Sequence, residues 1–176
     1  MIAQREAATA PPGEDRVQTT TDRLFQDGLV AGVIGAATIA IWFLILDTVR
    51  GRPLATPSLL GTALYRRGQI PASPDALPIS FEMVLTYTWV HGLVFCVIGC
   101  AASWLVAFAE ERPNAAFGIL LFFAVFEFGF LVLTMLFAEP VLRALSWPAI
   151  LVGNLLAAVA MGGYLWRRHP NLTVLP

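Results

Sequence analysis

Three polar side chains lie inside otherwise apolar stretches, and their chemistry is that of a proton, cation or polar-substrate site. Glu127, His91 and Asn154 each lie near the middle of a different apolar run. Inserting a helix with an ionised carboxylate facing the lipid hydrocarbon costs a few kcal/mol of free energy. Glu127 is therefore expected to face other helices. When the depth of each residue is counted along its own helix, His91 and Asn154 lie within one or two helical turns of Glu127. The sequence therefore predicts an intramembrane polar cluster.

Two hydroxyl residues extend this predicted cluster. Thr134 shares a helical face with Glu127, and Thr88 lies near the face of His91. Two interpretations stay open. In the first, the cluster only fixes helix packing, with a neutral Glu127, because a low dielectric disfavours the charged carboxylate. In the second, it handles a proton, an ion or a polar substrate.

Neither a metal site nor a catalytic residue is predicted. One histidine and one glutamate are too few ligands for zinc, and His169 follows the last apolar run. A haem held by His91 with Met161 or Met83 is the weakest alternative. The sequence contains no G-x-S-x-G, P-loop, H-E-x-x-H or dinucleotide-binding motif. We therefore expect no cofactor and assign no catalytic residues.

The composition is that of a membrane protein. Of 176 residues, 57% are hydrophobic and 13% charged, and the mean hydropathy is +0.72. A soluble domain has about 45–50% apolar and about 25% charged residues. A net charge of -1 provides no basic surface for nucleic acid. These values exclude a disordered chain, a nucleic-acid binder and a typical water-soluble enzyme.

Four apolar runs are long enough to cross about 30 Å of hydrocarbon. They cover residues 28–46, 80–109, 115–137 and 147–166. Backbone groups in lipid must form hydrogen bonds within the protein, so the runs are expected to be helices. The predicted fold is an all-α, four-helix transmembrane bundle. Residues 1–27 are interpreted as a flexible polar tail and residues 167–176 as a short C-terminal tail.

The connections between the runs are unequal in length. Residues 110–114 form a predicted tight hairpin, which makes the second and third spans antiparallel neighbours. The connection 138–146 is also short. The connection 47–79 is long, and Thr56-Pro57-Ser58 within it can cap a short helix that ends near Gly68. This short helix is expected either at the membrane surface or as an ordinary packed loop helix. The predicted interfacial residues are Asp47, Arg50, Arg52, Tyr65, Arg66 and Arg67.

Small residues recur at helical spacing in the first two runs. Such residues let two helices approach closely in lipid. Contact within the bundle and a face for another subunit are both consistent with this pattern. The predicted helix-packing residues are Gly28, Gly32, Gly35 and Ala36 in the first run, and Gly92 and Gly99 in the second.

Orientation follows from the aromatic and basic residues. An even number of spans places both termini on one side, and the five tryptophans then divide between the two ends of the spans. The pair Arg167-Arg168 directly after the last run favours cytoplasmic termini. Every basic residue other than histidine is arginine, which indicates a GC-rich bacterial genome. The expected location is therefore a bacterial inner membrane.

One segment carries a resemblance to a known group. The stretch Asp47-Thr48-Val49-Arg50-Gly51-Arg52-Pro53-Leu54, followed by Thr56-Pro57 and Leu59-Leu60-Gly61, resembles a stretch in uncharacterised bacterial four-span integral membrane proteins. The resemblance covers roughly residues 28–67. It implies a membrane exit followed by a capped surface helix, and it implies no activity.

Three functional interpretations remain open. The first is a non-enzymatic subunit or accessory protein of a membrane complex, whose partners are the bilayer and other membrane subunits or a second copy. The second is a small oligomeric carrier or proton-linked channel that uses the predicted polar cluster. The third is a membrane-embedded enzyme with His91 and Glu127 as an acid–base pair.

Overall fold

The computed structural model describes residues 14–66, 77–111 and 147–169, with side chains for 21–66, 77–110 and 147–169. All regular elements in these ranges are helices, and no strand occurs in them. The helices are α1 (Glu14–Val49), α2 (Ala55–Tyr65), α3 (Phe81–Glu111) and α4 (Trp147–Arg168). The predicted all-helical class is thus confirmed for the described part of the chain.

Three helices are long and apolar enough to cross a membrane. They are Thr21–Val49 within α1, Phe81–Glu110 within α3, and α4. They coincide with the predicted spans 28–46, 80–109 and 147–166, and together they indicate a multi-pass membrane protein. The fourth predicted span, 115–137, lies outside the described residues.

The first helix begins earlier than the composition suggests. Residues 14–27 were assigned to the polar tail, yet α1 already starts at Glu14. The chain from Glu14 to Gln26 contains neither glycine nor proline, so nothing local interrupts a helix that continues into the apolar run. The polar composition of this stretch predicted a flexible tail, whereas the structure continues the first span's helix back through residues 14–27.

Helix starts in the loops follow local signals. Pro57 lies in the first turn of α2, and Pro148 lies in the first turn of α4, where a missing N–H is tolerated. Ser80 precedes α3, and its hydroxyl oxygen is 3.5 Å from the backbone nitrogen of Met83. Leu54 adopts a left-handed conformation with φ 68° just before α2. These local signals therefore accompany the starts of α2, α3 and α4.

Helix α1 runs antiparallel to α3. Near the start of the apolar part of α1, Gly28 lies against Cys100 of α3. Further along α1, the Ala36 carbonyl oxygen lies beside His91, which is earlier in α3. Increasing residue numbers on one helix therefore meet decreasing numbers on the other.

Helix α1 also runs antiparallel to α4. Asp27 lies against Arg168 at the end of α4, and Trp42 donates a hydrogen bond to the Ala149 carbonyl at its start. Because α3 and α4 are both antiparallel to α1, they run parallel to each other. They make few contacts with one another. Helix α1 is therefore the element on which the other two described spans assemble.

Most of the spans' surface is apolar and outward facing. In the most apolar 18-residue stretch of each span, only 17% of the residues are buried in α1, 17% in α3 and 22% in α4. Large side chains such as Trp89 and Val159 are 81% and 66% exposed. In water such a surface would be unstable, whereas hydrocarbon solvates it, which agrees with a membrane location.

Candidate functional site

The contact between α1 and α3 is built from glycines. A Cβ on Gly28 would lie 2.5 Å from the Cys100 Cα, and one on Gly32 would lie 2.6 Å from the Cys96 Cα. A Cβ on Gly99 would overlap the Gly28 carbonyl oxygen. Only glycine fits these three positions at the present helix separation.

The other predicted packing residues have different surroundings. A Cβ on Gly35 would collide with the Met161 sulfur and lie 2.8 Å from the Phe95 ring, so Gly35 marks the point where α1, α3 and α4 meet. Gly92, in contrast, has no atom within 4 Å of where its Cβ would be. It borders open space, and no helix of the described part packs on it there.

His91 is held between aromatic rings and the backbone of α1. Its Nε2 is 3.2 Å from the Ala36 carbonyl oxygen, which accepts a hydrogen bond from the ring when that nitrogen carries the proton. The imidazole centroid is 5.6 Å from that of Tyr87 and 4.7 Å from that of Phe95. His91 therefore serves as an interhelical contact in the described part of the chain.

Beside His91, α1 and α3 enclose an open groove of about 760 Å³, which we call the α1–α3 groove. Its walls are mainly apolar, formed chiefly by Val33, Ala37, Ala40, Leu85, Trp89 and Leu93. Thr88 also lines it, but its hydroxyl donates to the Val84 carbonyl oxygen. The groove is suited to an apolar occupant and offers no charged group in the described residues that line it.

The predicted polar cluster is only partly within the described residues. Glu127 and Thr134 lie outside them. Asn154 is on α4, directly after Gly153, which faces the Trp42 ring. The assembly of His91, Thr88 and Asn154 around Glu127 stays a prediction.

A buried carboxylate that the sequence analysis missed ties α1 to α4. Asp27 is only 6% exposed and accepts hydrogen bonds from Arg168 Nε at 2.8 Å and from the Tyr164 hydroxyl at 3.1 Å. It was missed because it had been assigned to the tail. Its spacing of four from Ala31 and eight from Gly35 places it on the same helical face as these packed residues, and that spacing was the available signal.

Two further polar contacts lie at the same end of the bundle. The Ser103 hydroxyl donates to the Leu24 carbonyl oxygen at 2.9 Å, which joins α3 to α1. His169 Nδ1 is 2.8 Å from a Glu110 carboxylate oxygen, which joins the end of α4 to the end of α3. The other ring nitrogen of His169 is buried and has no hydrogen-bond partner among the described residues. Polar contacts thus hold all three described spans at the terminus side.

At the opposite end, Asp47 caps α2. Asp47 is 2% exposed, and its two carboxylate oxygens accept hydrogen bonds from the Thr56 N–H and the Thr56 hydroxyl, each at 2.7 Å. The predicted cap, Thr56-Pro57-Ser58, is therefore replaced by a carboxylate from the preceding helix. The placement of Asp47 at the membrane interface stays a prediction, and within the protein its side chain is buried.

The other predicted interfacial residues surround this cap. The Arg52 guanidinium donates to the Leu77 carbonyl oxygen at 2.6 Å, and Arg66 pairs with Glu82 at 3.3 Å. That pair is exposed and contributes little stability. Arg50 is exposed and Tyr65 is 48% exposed, while Arg67 lies outside the described residues.

The described residues thus form an apolar groove between two ends that polar contacts hold. Within residues 14–66, 77–111 and 147–169, no three His, Cys, Asp or Glu side chains lie close enough to hold a metal ion. The groove can bind an apolar side chain, helix or acyl chain, and none of the described residues that line it is a carboxylate that could act with His91 as an acid–base pair. Comparison with protein-family models, with curated proteins and with solved structures finds no match for this chain.

Proposed function

We propose that this chain is a non-enzymatic subunit or accessory protein of a membrane complex, with four spans. The observation that carries the proposal is the separation of the two buried carboxylates, Asp27 and Asp47, from the α1–α3 groove. Asp27 and Asp47 have hydrogen-bond partners near the two ends of the apolar part of α1, whereas the groove between them is lined mainly by apolar side chains. Such a frame favours packing against another apolar surface over the passage of a polar substrate.

The fourth span is supported by the directions of the described helices. Because α3 and α4 are parallel, the chain leaves α3 at Glu111 on one side and enters α4 at Trp147 on the other. It must cross between these points, and residues 115–137 are its one long apolar run there. Hydrocarbon admits a crossing segment only as a helix.

Reporter fusions test the number of spans. Periplasmic-active and cytoplasmic-active reporters would be inserted at 112–114 and at 138–146, with fusions at both termini as references. We expect 112–114 to report the same side as the termini and 138–146 the opposite side. Identical signals from 112–114 and 138–146 would contradict four spans.

A bacterial inner membrane with both termini in the cytoplasm completes the proposal. Arg167 and Arg168 directly follow the most apolar part of α4, as the positive-inside rule expects of a cytoplasmic end. The absence of lysine from the full sequence supports a GC-rich bacterial source. The same terminal fusions test this orientation.

The subunit role is tested at the α1–α3 groove. The chain would be tagged at its native expression level and purified in mild detergent, as wild type, as Ala37→Trp and as Val159→Trp. Ala37 lines the groove, whereas Val159 is exposed on α4 and does not line it. We expect a defined partner subunit with the wild type and Val159→Trp, and its loss with Ala37→Trp. Equal recovery with both variants would contradict a role for the groove.

A second candidate function is a small oligomeric carrier or proton-linked channel. The half-buried position of His91 in the wall of the groove favours it, because an imidazole there can exchange a proton with a neighbouring carboxyl. Glu127, Asn154, Thr88 and Thr134 are the residues proposed to complete its path. Its test is the substitution of Glu127 described below.

A further inference from the structure

We propose that residues 115–137 dock in the cleft between α3 and α4, which we call the α3–α4 cleft, opposite α1. This inference rests on the proposed fourth span and goes beyond it by naming the surface that the span covers. Both walls of the cleft are described helices that pack along α1 yet make few contacts with each other.

The α3 wall borders a stripe that packs where α1 and α4 meet. Phe95 and Ala102 pack against the core cluster formed by Ala31 of α1 with Met161 and Leu165 of α4. Ile98 lies between them at three- and four-residue spacing, so it belongs to the same stripe. Its side chain is 41% exposed, although its neighbours on the stripe are packed. This wall therefore has apolar surface available to a further helix.

The α4 wall likewise carries a stripe that is buried in one part and exposed in another. Met161 and Leu165 are buried at 7% and 3% exposure. Ala158 and Leu151 precede Met161 by three and ten residues and so continue its stripe toward the start of α4. Ala158 is exposed and Leu151 is 43% exposed. The covered end of the stripe is thus followed by an open end that carries Leu151 and Ala158, with the half-buried Asn154 between them.

The chain's connections select this cleft over the α1–α3 groove. The segment must begin at the end of α3 and finish at the start of α4, and its two connections, 110–114 and 138–146, are short. A helix joined in this way lies beside both α3 and α4. The residues that line the groove come from α1 and α3, with none from α4. Docking there would place the segment beside only one of the helices that it joins.

The shapes of the walls and of the segment also match. Ala158 is a small exposed residue and provides a shallow place on the α4 wall. Phe123, Phe126 and Phe130 recur at three- and four-residue spacing in the segment and give one face of bulky rings, on which Glu127 also falls. In lipid, helix association depends on van der Waals packing, which bulky residues against small ones supply.

Disulfide cross-linking in membranes tests the docking site. In the full chain with Cys96→Ala and Cys100→Ala, a fixed Ala158→Cys would be combined with single cysteines at each position from 119 to 133. Ala40→Cys is the matched control, because Ala40 is also an exposed alanine on a span but lines the α1–α3 groove. Ile98→Cys on the opposite wall provides a second fixed position if Ala158→Cys accumulates poorly.

We expect cross-links to Ala158→Cys that recur every three or four positions, with none to Ala40→Cys. Cross-links to Ala40→Cys, or to none of the fixed positions, would overturn the proposal. The reporter fusions distinguish this failure from that of the fourth span. If residues 115–137 cross the membrane but form no cross-links, only the docking proposal is refuted. If they do not cross the membrane, both the fourth span and the docking are refuted.

Discussion

Two aspartates near opposite ends of the apolar part of α1 hold the neighbouring helices in place. Asp27 binds Arg168 and Tyr164 of α4, and Asp47 binds Thr56 of α2. A buried carboxylate without partners would be strongly destabilising, so each site depends on its hydrogen bonds. Neither role is visible in composition, because both residues lie at the edges of an apolar run.

Removing the Asp47 carboxylate should uncap α2. Asp47→Ala leaves the buried Thr56 N–H without its acceptor, which costs about 1–3 kcal/mol. Thr48→Ala is the control, because Thr48 is exposed and its hydroxyl donates only to the Leu44 carbonyl oxygen of its own helix. Thermal unfolding in detergent should show a lower Tm for Asp47→Ala alone. Equal Tm values for both variants would refute the cap.

The arginine pair at the end of α4 allows a matched comparison. Arg168→Gln removes the charged partner of the buried Asp27 carboxylate and leaves it the Tyr164 hydroxyl, whereas Arg167→Gln leaves both contacts intact. We expect Arg168→Gln to have the lower Tm in detergent and Arg167→Gln to match the wild type. The reverse order would exclude this contact as the tie between α1 and α4.

Substitutions of Glu127 distinguish the proposed subunit function from the proposed carrier function. If its role is structural, Glu127→Gln should be tolerated, and Glu127→Leu should cost about 1–2 kcal/mol per lost hydrogen bond. If it carries protons, Glu127→Gln should remain abundant and lose pH-dependent flux. Membrane abundance, Tm and proton flux of both variants separate these cases. We expect the structural result, and a Gln variant less stable than the Leu variant would remove the polar cluster altogether.

At the scale of elements, the glycine contact between α1 and α3 sets their separation. Gly99→Ala forces a Cβ onto the Gly28 carbonyl oxygen, and overpacking of this kind costs about 1–3 kcal/mol. Gly92→Ala is the control on the same helix, because no atom lies within 4 Å of its Cβ position.

Thermal unfolding of these two variants should separate them clearly. Gly99→Ala should unfold at a lower temperature, and Gly92→Ala should equal or exceed the wild type because alanine favours a helix. Destabilisation by Gly92→Ala alone would show that the helices meet on another face.

Hydropathy predicts those helices whose length and composition are set by the need to cross the lipid hydrocarbon. The spans 80–109 and 147–166 agree closely with α3 and α4, because a helix in hydrocarbon must be both long and apolar. The start of α1 could not be predicted in this way, since residues 14–27 are polar and their helix depends on continuity with the span. The α2 cap also escaped prediction, because its acceptor, Asp47, is nine residues before Thr56.

At the scale of the molecule, topology was easier to predict than function. The antiparallel order of α1 and α3 follows from the chain crossing the membrane, and the structure agrees. The assembly of a site around Glu127 depends on side chains from several spans, and sequence spacing within one helix does not determine such contacts. The α1–α3 groove likewise results from the crossing of two helices, so no motif in either one predicts it.

The central claim is that this chain functions by packing against a different membrane subunit. The most direct measurement is native mass spectrometry of the chain released from its own membranes at native expression level. The account predicts a complex whose mass exceeds the chain's 19.1 kDa by that of at least one other polypeptide. A mass equal to one chain, or to a whole multiple of it, would contradict the claim.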